Sequence, residues 1–364
     1  VADLVLPGDL PFADRMEVFA SRDEHMAARD AGEYRIGAST VPEILGTSSY
    51  GSPWDVFLRK RHPQYVTRRE TAATRRGQAM EGVVIAEYAE ETGAELLWPA
   101  PPKGAVIVRG EAQPWLAVSP DHFVRHEGVI GGLEVKNYSN PDAWGETGTV
   151  IERYVAQAVE VIPAHVLTQV YASLAATGLP WWDVAVLFIQ QWELRTFRVL
   201  ADEKLQGRLM ETIEAWRERH LVQGIEPPVD GTSGCTKGLR MHASGLVDAR
   251  RTATETEQDL ITSYVQLGAE MKTLGDKRDR TRNEILRCVV KAPGQERRLA
   301  MDDGSALSIN TIGGRESVML SALRKDRPDL YEAVKAAGYI NSGEESAQVR
   351  VQPPRKRRKA TGRL

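Results

Sequence analysis

Residues 115–138, WLAVSPDHFVRHEGVIGGLEVKNY, decide how the chain is read. Two apolar segments flank a Gly-containing turn, so the stretch predicts two short paired strands. Asp121 lies near the end of the first strand, and Glu134 and Lys136 lie in the second. Side chains alternate faces along a strand, so Glu134 and Lys136 share one face while Leu133 and Val135 turn into a core. Ser119 and Asp121 share a face for the same reason. Two carboxylates and an ammonium gathered beside an apolar layer need a cause. A divalent cation with a polarised water is the most economical one.

The segments on either side supply more polar groups. Upstream, RIGASTVPEILG (35–46) carries Thr40 and Glu43 at the spacing of a capping box, which predicts a helix from about Val41 to Gly46. Ser39, just before it, reads as a helix cap or as a hydroxyl and amide suited to a phosphate. A second helix is expected from Trp54 to Arg61. The segment TRRGQAMEGVVIAEYAEETG predicts a longer helix from about Thr74, closed by Gly93 and buried along Met80, Val84 and Tyr88. Glu81 lies beside that stripe, from which it can reach into the domain.

Downstream, PAHVLTQVYASLAATG (163–178) is amphipathic, with Gly178 as its stop and Gln169 next to the apolar stripe. DVAVLFIQ then reads as a strand buried on both faces, and ELRTFRVL as a half-exposed one. A helix over 201–223 follows. Helix, strand pair, helix, strand, strand describes a mixed α/β domain around one central sheet. The loop GIEPPVDGTSGCTKG marks its expected boundary.

Asp121 and Glu134 are hard oxygen donors of the kind Mg²⁺ takes, and a Lys two residues on can orient or deprotonate a water or stabilise charge at phosphorus. As a bare string, D-x(12)-E-x-K is weak; strand context, Pro120 and apolar flanks give it weight. Competing chemistries lack their parts. There is no H-E-x-x-H, no paired Cys-x-x-Cys and no G-x-S-x-G, and GTSGCTKG lacks the Gly that a P-loop needs before Lys237. His122 and His126 read as surface residues of the hairpin rather than as ligands.

The ordered series RIGAST, RRGQAMEG, SPD, LEVK and Gln169 on a helix resembles the YqaJ-type viral recombinase family, the phage lambda exonuclease branch of the PD-(D/E)xK nucleases. The resemblance covers residues 30–200. It implies a restriction-endonuclease-like α/β core and a Mg²⁺-dependent exonuclease, with Mn²⁺ as a substitute. It assigns Asp121, Glu134 and the Val135 carbonyl as metal ligands, Lys136 to placing the water, and Glu81 and Gln169 to completing the site, with Glu81 a further candidate ligand. Arg35, Ser39 and Ser119 map onto the positions that hold a 5′-phosphate. Trimming of 5′-ended strands, a single-strand annealing partner and a ring of three subunits are also implied. An endonuclease of the same fold, or a DNA-binding protein with an idle site, are the alternatives.

The 364 residues are 42% hydrophobic and 27% charged, as in soluble globular proteins, and suit a main domain with an appendage. Two distant cysteines, Cys235 and Cys288, exclude a disulfide framework, a four-cysteine zinc site and an iron–sulfur cluster. The longest apolar runs are strand-sized and no secretory signal is visible, so a cytoplasmic setting is expected. The net charge of −3 conceals a tail, PPRKRRKATGRL, with no acid, which suits sequence-independent contact with phosphates. The expected division is an N-terminal tail (1–20), a nuclease domain (21–230), a helical accessory region with a β-hairpin turning at Asp303-Gly304 (231–345), and the basic tail (346–364). Within the accessory region, Leu260, Tyr264, Leu267, Met271, Leu274, Thr281, Ile285 and Cys288 follow heptad spacing, interrupted at Arg278. That seam suits a helical hairpin that folds back on itself, or a short coiled coil that would supply a homo-oligomer.

Overall fold

In a computed structural model, residues 10–19, 24–25, 28, 34–65, 72–97, 106–243, 251–291, 298–302, 306–308 and 320–336 are described. The basic tail and the Asp303-Gly304 turn lie outside them. The chain divides into one compact unit ending at Ser244 and a second beginning at Gly245.

The first unit opens with strands β1 (Met16–Val18) and β2 (Ile36–Gly37), and helices α1 (Val41–Ile44), α2 (Pro53–Arg61) and α3 (Ala72–Thr92). Five strands follow: β3 (Glu95–Leu96), β4 (Val106–Arg109), β5 (Leu116–Val118), β6 (His122–His126) and β7 (Val129–Tyr138). Then come β8 (Val150–Ile151), helices α4 (Ala156–Val161) and α5 (Ala164–Thr177), strands β9 (Trp181–Phe188) and β10 (Glu193–Leu200), and helices α6 (Glu203–Trp216) and α7 (Ser233–His242). A π-helical turn, Arg217–Val222, extends α6.

A six-stranded mixed sheet, in the order β3-β6-β7-β9-β10-β8, forms the centre. Strand β7 pairs antiparallel with β6 and parallel with β9. Strand β9 is buried over its whole length, as its unbroken apolar run requires, and its alternate residues feed two different cores. Ala185 and Leu187 pack with Val84, Ile85 and Tyr88 of α3. Trp182, Val184, Val186 and Phe188 pack with Val166, Val170 and Leu174 of α5. The sheet is thus sandwiched between α3 and α5. A smaller sheet, β1-β4-β5-β2, joins the α5 side, where β2 runs parallel to β5.

Two glycines let β7 and β9 meet. Gly132 pairs with Trp182, and a Cβ on Gly132 would overlap the indole ring; Gly131 stands in the same relation to Trp181. On the α3 face, the Tyr88 hydroxyl donates to Asp183 Oδ2 at 2.6 Å, and Arg198 donates through Nε and Nη2 at 2.8 and 2.9 Å. This buried group ties α3 to β9 and β10. Burial and Asp183 both push the Tyr88 phenol up, so it stays protonated as the donor.

Helices α3 and α5 end where the sequence indicates, at Gly93 and Gly178, both in the left-handed region. The capping box expected at Thr40 does not form. Thr40 has helical backbone angles and no side-chain cap, and Glu43 pairs with Arg59 on α2 instead. A reciprocal box forms at Thr254 and Glu257, where each side chain accepts the other's backbone N–H. The first unit also runs past the boundary expected at residue 230. Thr232 caps α7, and Cys235 is buried against Trp54 and Leu58 of α2.

In the second unit, α8 (Glu255–Lys291) is one continuous helix of 37 residues. Arg278 does not break it, so the seam lies along a single rod rather than a hairpin within those residues. Strands β11 (Arg298–Ala300) and β12 (Ala306–Ser308) pair antiparallel, and α9 (Leu320–Asp326) and α10 (Pro328–Ala336) follow. Among the described residues, no helix is long and apolar enough to cross a membrane.

Candidate active site

The β6–β7 hairpin closes through Glu127 and Gly128, both at positive φ (51° and 81°), the backbone of a two-residue type I′ turn. Its ladder pairs His126 with Val129 and His122 with Leu133; His122 is fully buried there, not at the surface as the sequence suggests, with Nδ1 hydrogen-bonded with the Phe123 carbonyl. One step beyond, Asp121 falls opposite Glu134. The spacing of Asp121 and Glu134 in the sequence is therefore the arithmetic of a hairpin with a two-residue turn.

These residues open onto a cleft of about 900 Å³. Glu81 of α3, Asp121, Glu134, Val135 and Lys136 line it with Gln169 of α5 and Ser39. Leu133 and Val135 pack towards α3, so Glu134 and Lys136 project from the other face of the sheet; Glu81 reaches the cleft from α3 and Gln169 from α5.

Asp121 Oδ2 accepts the Val135 N–H at 2.7 Å, and Lys136 Nζ donates to Glu134 Oε1. Glu134 is buried, and Lys136 is partly buried. Burial holds the Asp121 carboxyl well above the ordinary carboxylate range, with further upward pushes from Glu134 and Glu81; Lys136 and the Val135 amide work the other way. For Lys136, burial disfavours the charge, yet Glu134 and Asp121 outweigh it and push the ammonium up to about 12. The site therefore holds more negative charge than one ammonium neutralises.

That excess fits a hard divalent cation. The acidic donors lining the cleft are carboxylate oxygens, with Val135 beside them, and no thiolate is among the lining residues. Among the described residues, no three His, Cys, Asp or Glu side chains form a ready-made cage. Mg²⁺ suits this, since it takes one or two carboxylates and keeps several waters.

Arg35 and Ser119 are not among the lining residues. Arg35 donates to the Ala28 carbonyl at 3.2 Å, and Ser119 Oγ is hydrogen-bonded with His25 Nε2 at 2.8 Å. Both nevertheless flank strands that lead to the cleft, Arg35 before β2 and Ser119 after β5. Because β2 and β5 pair in parallel, with Ile36 beside Leu116 and Gly37 beside Ala117, Arg35 and Ser119 stand at opposite ends of that pair.

Several lining residues escaped sequence reasoning. Arg76, one helical turn before Glu81, donates to Asn137 Oδ1 at 3.2 Å. The Tyr138 hydroxyl is hydrogen-bonded with His165 Nε2 at 3.2 Å, and Tyr50 meets the His165 ring edge-on at 5.7 Å. Burial and Lys136 lower the His165 imidazole, so it is neutral at physiological pH. Period-2 alternation offered a signal for Tyr138, which shares the face of Glu134 and Lys136. Tyr50 and His165 carried none, because only tertiary packing brings them to Lys136.

Residues 24–180 match the family model of the YqaJ-like viral recombinase domain. A relative, the uncharacterized protein YqaJ of Bacillus subtilis (strain 168), is 20% identical over 279 residues, spanning 74% of this chain and 81% of its own. Among solved structures, the alkaline exonuclease LHK-Exo from Laribacter hongkongensis is similar at 18% identity and a TM-score of 0.37, covering 55% of this chain and 95% of that one. LHK-Exo in complex with dAMP aligns at 16% identity and a TM-score of 0.39, with the same coverage.

Proposed function

We propose that the chain is a divalent-cation-dependent deoxyribonuclease that hydrolyses strands from the ends of linear duplex DNA. The observation that carries this reading is Asp121 opposite Glu134, with Lys136 bonded to Glu134, in one cleft. The match of residues 24–180 to the YqaJ-like viral recombinase domain supports it.

Asp121, Glu134 and the Val135 carbonyl would hold the cation, with Glu81 close enough to Asp121 to act on its charge. A Mg²⁺ or Mn²⁺ ion there supplies Lewis-acid stabilisation of charge at a phosphodiester. Glu134 fixes the Lys136 ammonium at the cleft, where its positive charge faces the developing phosphorane and a nucleophilic water can be oriented. Gln169 offers amide hydrogen bonds from α5. Arg76 adds a cation at the rim for the backbone of the substrate.

Ser39 lines the cleft and, with Arg35 and Ser119 assigned by the family motifs they resemble, forms the proposed 5′-phosphate region. The 5′-to-3′ direction, giving 3′ overhangs for an annealing partner, is that of the lambda exonuclease-type enzymes whose motifs these resemble. Digestion of end-labelled duplex with Mg²⁺ tests the reading. Linear DNA with 5′-phosphates is expected to be degraded from its 5′ ends and covalently closed circles spared. Equal cutting of circles would establish an endonuclease instead. No hydrolysis, with DNA binding intact, would establish an idle site.

A further inference from the structure

The seam on α8 is a continuous apolar stripe that the described residues do not cover. Leu260, Tyr264, Leu267, Met271 and Leu274 are each more than half exposed, at 66, 57, 58, 73 and 64%. They step by four and three, which places them on one side of the helix. A helix of 37 residues runs ~55 Å, long enough for about five heptads. Leaving five large apolar side chains in one row in water is unfavourable, so such a stripe is a binding face without its partner.

The charges along the same helix select the partner. Residues 255–273 carry Glu255, Glu257, Asp259 and Glu270 against Lys272 alone. Residues 274–291 carry six cations against three acids. A second copy running antiparallel sets the acidic half of each helix against the basic half of the other. A parallel copy would oppose like with like and place Arg278 on Arg278 in the seam.

The antiparallel register follows from the heptad. Setting Met271 against Leu274 of the second copy also sets Leu260 against Ile285, Tyr264 against Thr281 and Leu267 against Arg278. In this register Glu270, on the flank of the seam, meets Lys277 of the other helix, twice by symmetry. On the opposite flank Gly268 meets Gly275. A Cβ on either glycine has nothing within 4 Å, so neither is needed for packing within the chain. Each weakens the isolated helix, and together they let two backbones approach at the centre of the rod.

We infer that α8 is a self-association element, and that two copies of this chain pair through an antiparallel coiled coil along the Leu260–Ile285 seam. The inference stands whether or not the cleft hydrolyses DNA. Pairing would join two nuclease units through their second units, and a nuclease with two clefts engages both strands of a break or two ends at once.

Sedimentation of the full chain is the test. The wild type is expected to be a dimer at micromolar concentration, and Leu267→Glu a monomer with an unchanged circular dichroism spectrum. Lys277→Glu sets a carboxylate against Glu270 of the other helix and should weaken the dimer roughly tenfold, an effect reversed by adding Glu270→Lys. The same Lys277→Glu would strengthen a parallel pair, because residue 277 then faces Arg282. In a Cys288→Ser background, a mixture of Leu260→Cys and Ile285→Cys chains should cross-link to each other. Leu260→Cys alone should not, since its two copies stand ~37 Å apart. A monomeric wild type, an oligomer indifferent to Leu267→Glu, or self-cross-linking of Leu260→Cys would each overturn the proposal.

Discussion

Asp121 faces Glu134 across the β6–β7 hairpin, one step past the last ladder pair of His122 and Leu133. The pairing sets Glu134 beside Asp121, where burial and the neighbouring carboxylates raise the free energy of the charged Asp121, and a single ammonium, Lys136, offsets only part of it. The consequences are measurable.

Lys136→Ala should lower hydrolysis of linear duplex by about 10²- to 10³-fold while DNA affinity changes little. In the proposed site the ammonium would face charge that develops only as the phosphodiester breaks, so ground-state binding would not depend on it. Single-turnover rates beside a filter-binding isotherm measure both quantities. Equal loss in both would place Lys136 in binding instead.

Cation affinity should rise with pH above the ordinary carboxylate range, with protons released on binding. Asp121 keeps its proton to a higher pH than a free carboxyl, and a cation must displace it. Calorimetry of Mg²⁺ or Mn²⁺ binding in buffers of different ionisation heats counts the protons. A pH-independent affinity would remove Asp121 from the ligand set.

The same elevated carboxyl makes the cation-free protein less stable as pH rises. Its folded-state pKa lies above the unfolded value of ~3.9, so ionisation costs the folded chain more than the unfolded one. The cost develops as pH rises from the unfolded towards the folded pKa, and persists above both. Asp121→Asn should therefore raise the melting temperature in chelator at pH 8, and the gain should vanish as pH falls towards ~4.

Gly132→Ala should destabilise the first unit by about 1–3 kcal/mol, because its methyl enters the space of the Trp182 ring. Denaturant unfolding followed by Trp fluorescence reads this directly.

Asp183→Ala should cost about 3–5 kcal/mol, leaving Arg198 and the Tyr88 hydroxyl without their shared acceptor. Because the same contact anchors α3, hydrolysis should fall with stability, through the position of Glu81. Tyr88→Phe should cost less, since it removes one hydrogen bond and no charge.

Local rules made the β6–β7 hairpin legible from residues 115–138 alone. Strand alternation gave Glu134 and Lys136 a common face, whereas the two-residue turn that sets Asp121 opposite Glu134 emerged only from the structure. Glycine stops at Gly93 and Gly178 bounded the two helices that carry Glu81 and Gln169, and heptad spacing marked the α8 seam. These signals act over one turn of helix or one step of ladder, so the sequence carries them openly. Everything that joins distant segments was settled by packing. The Thr40–Glu43 box lost to an ion pair with Arg59. Cys235 drew the first unit on to Ser244 by burying itself against Trp54. His165 and Tyr50 reached the cleft through the placement of α5. Such pairings depend on which surfaces exclude water from one another across the whole fold, and no window of neighbouring residues contains that information.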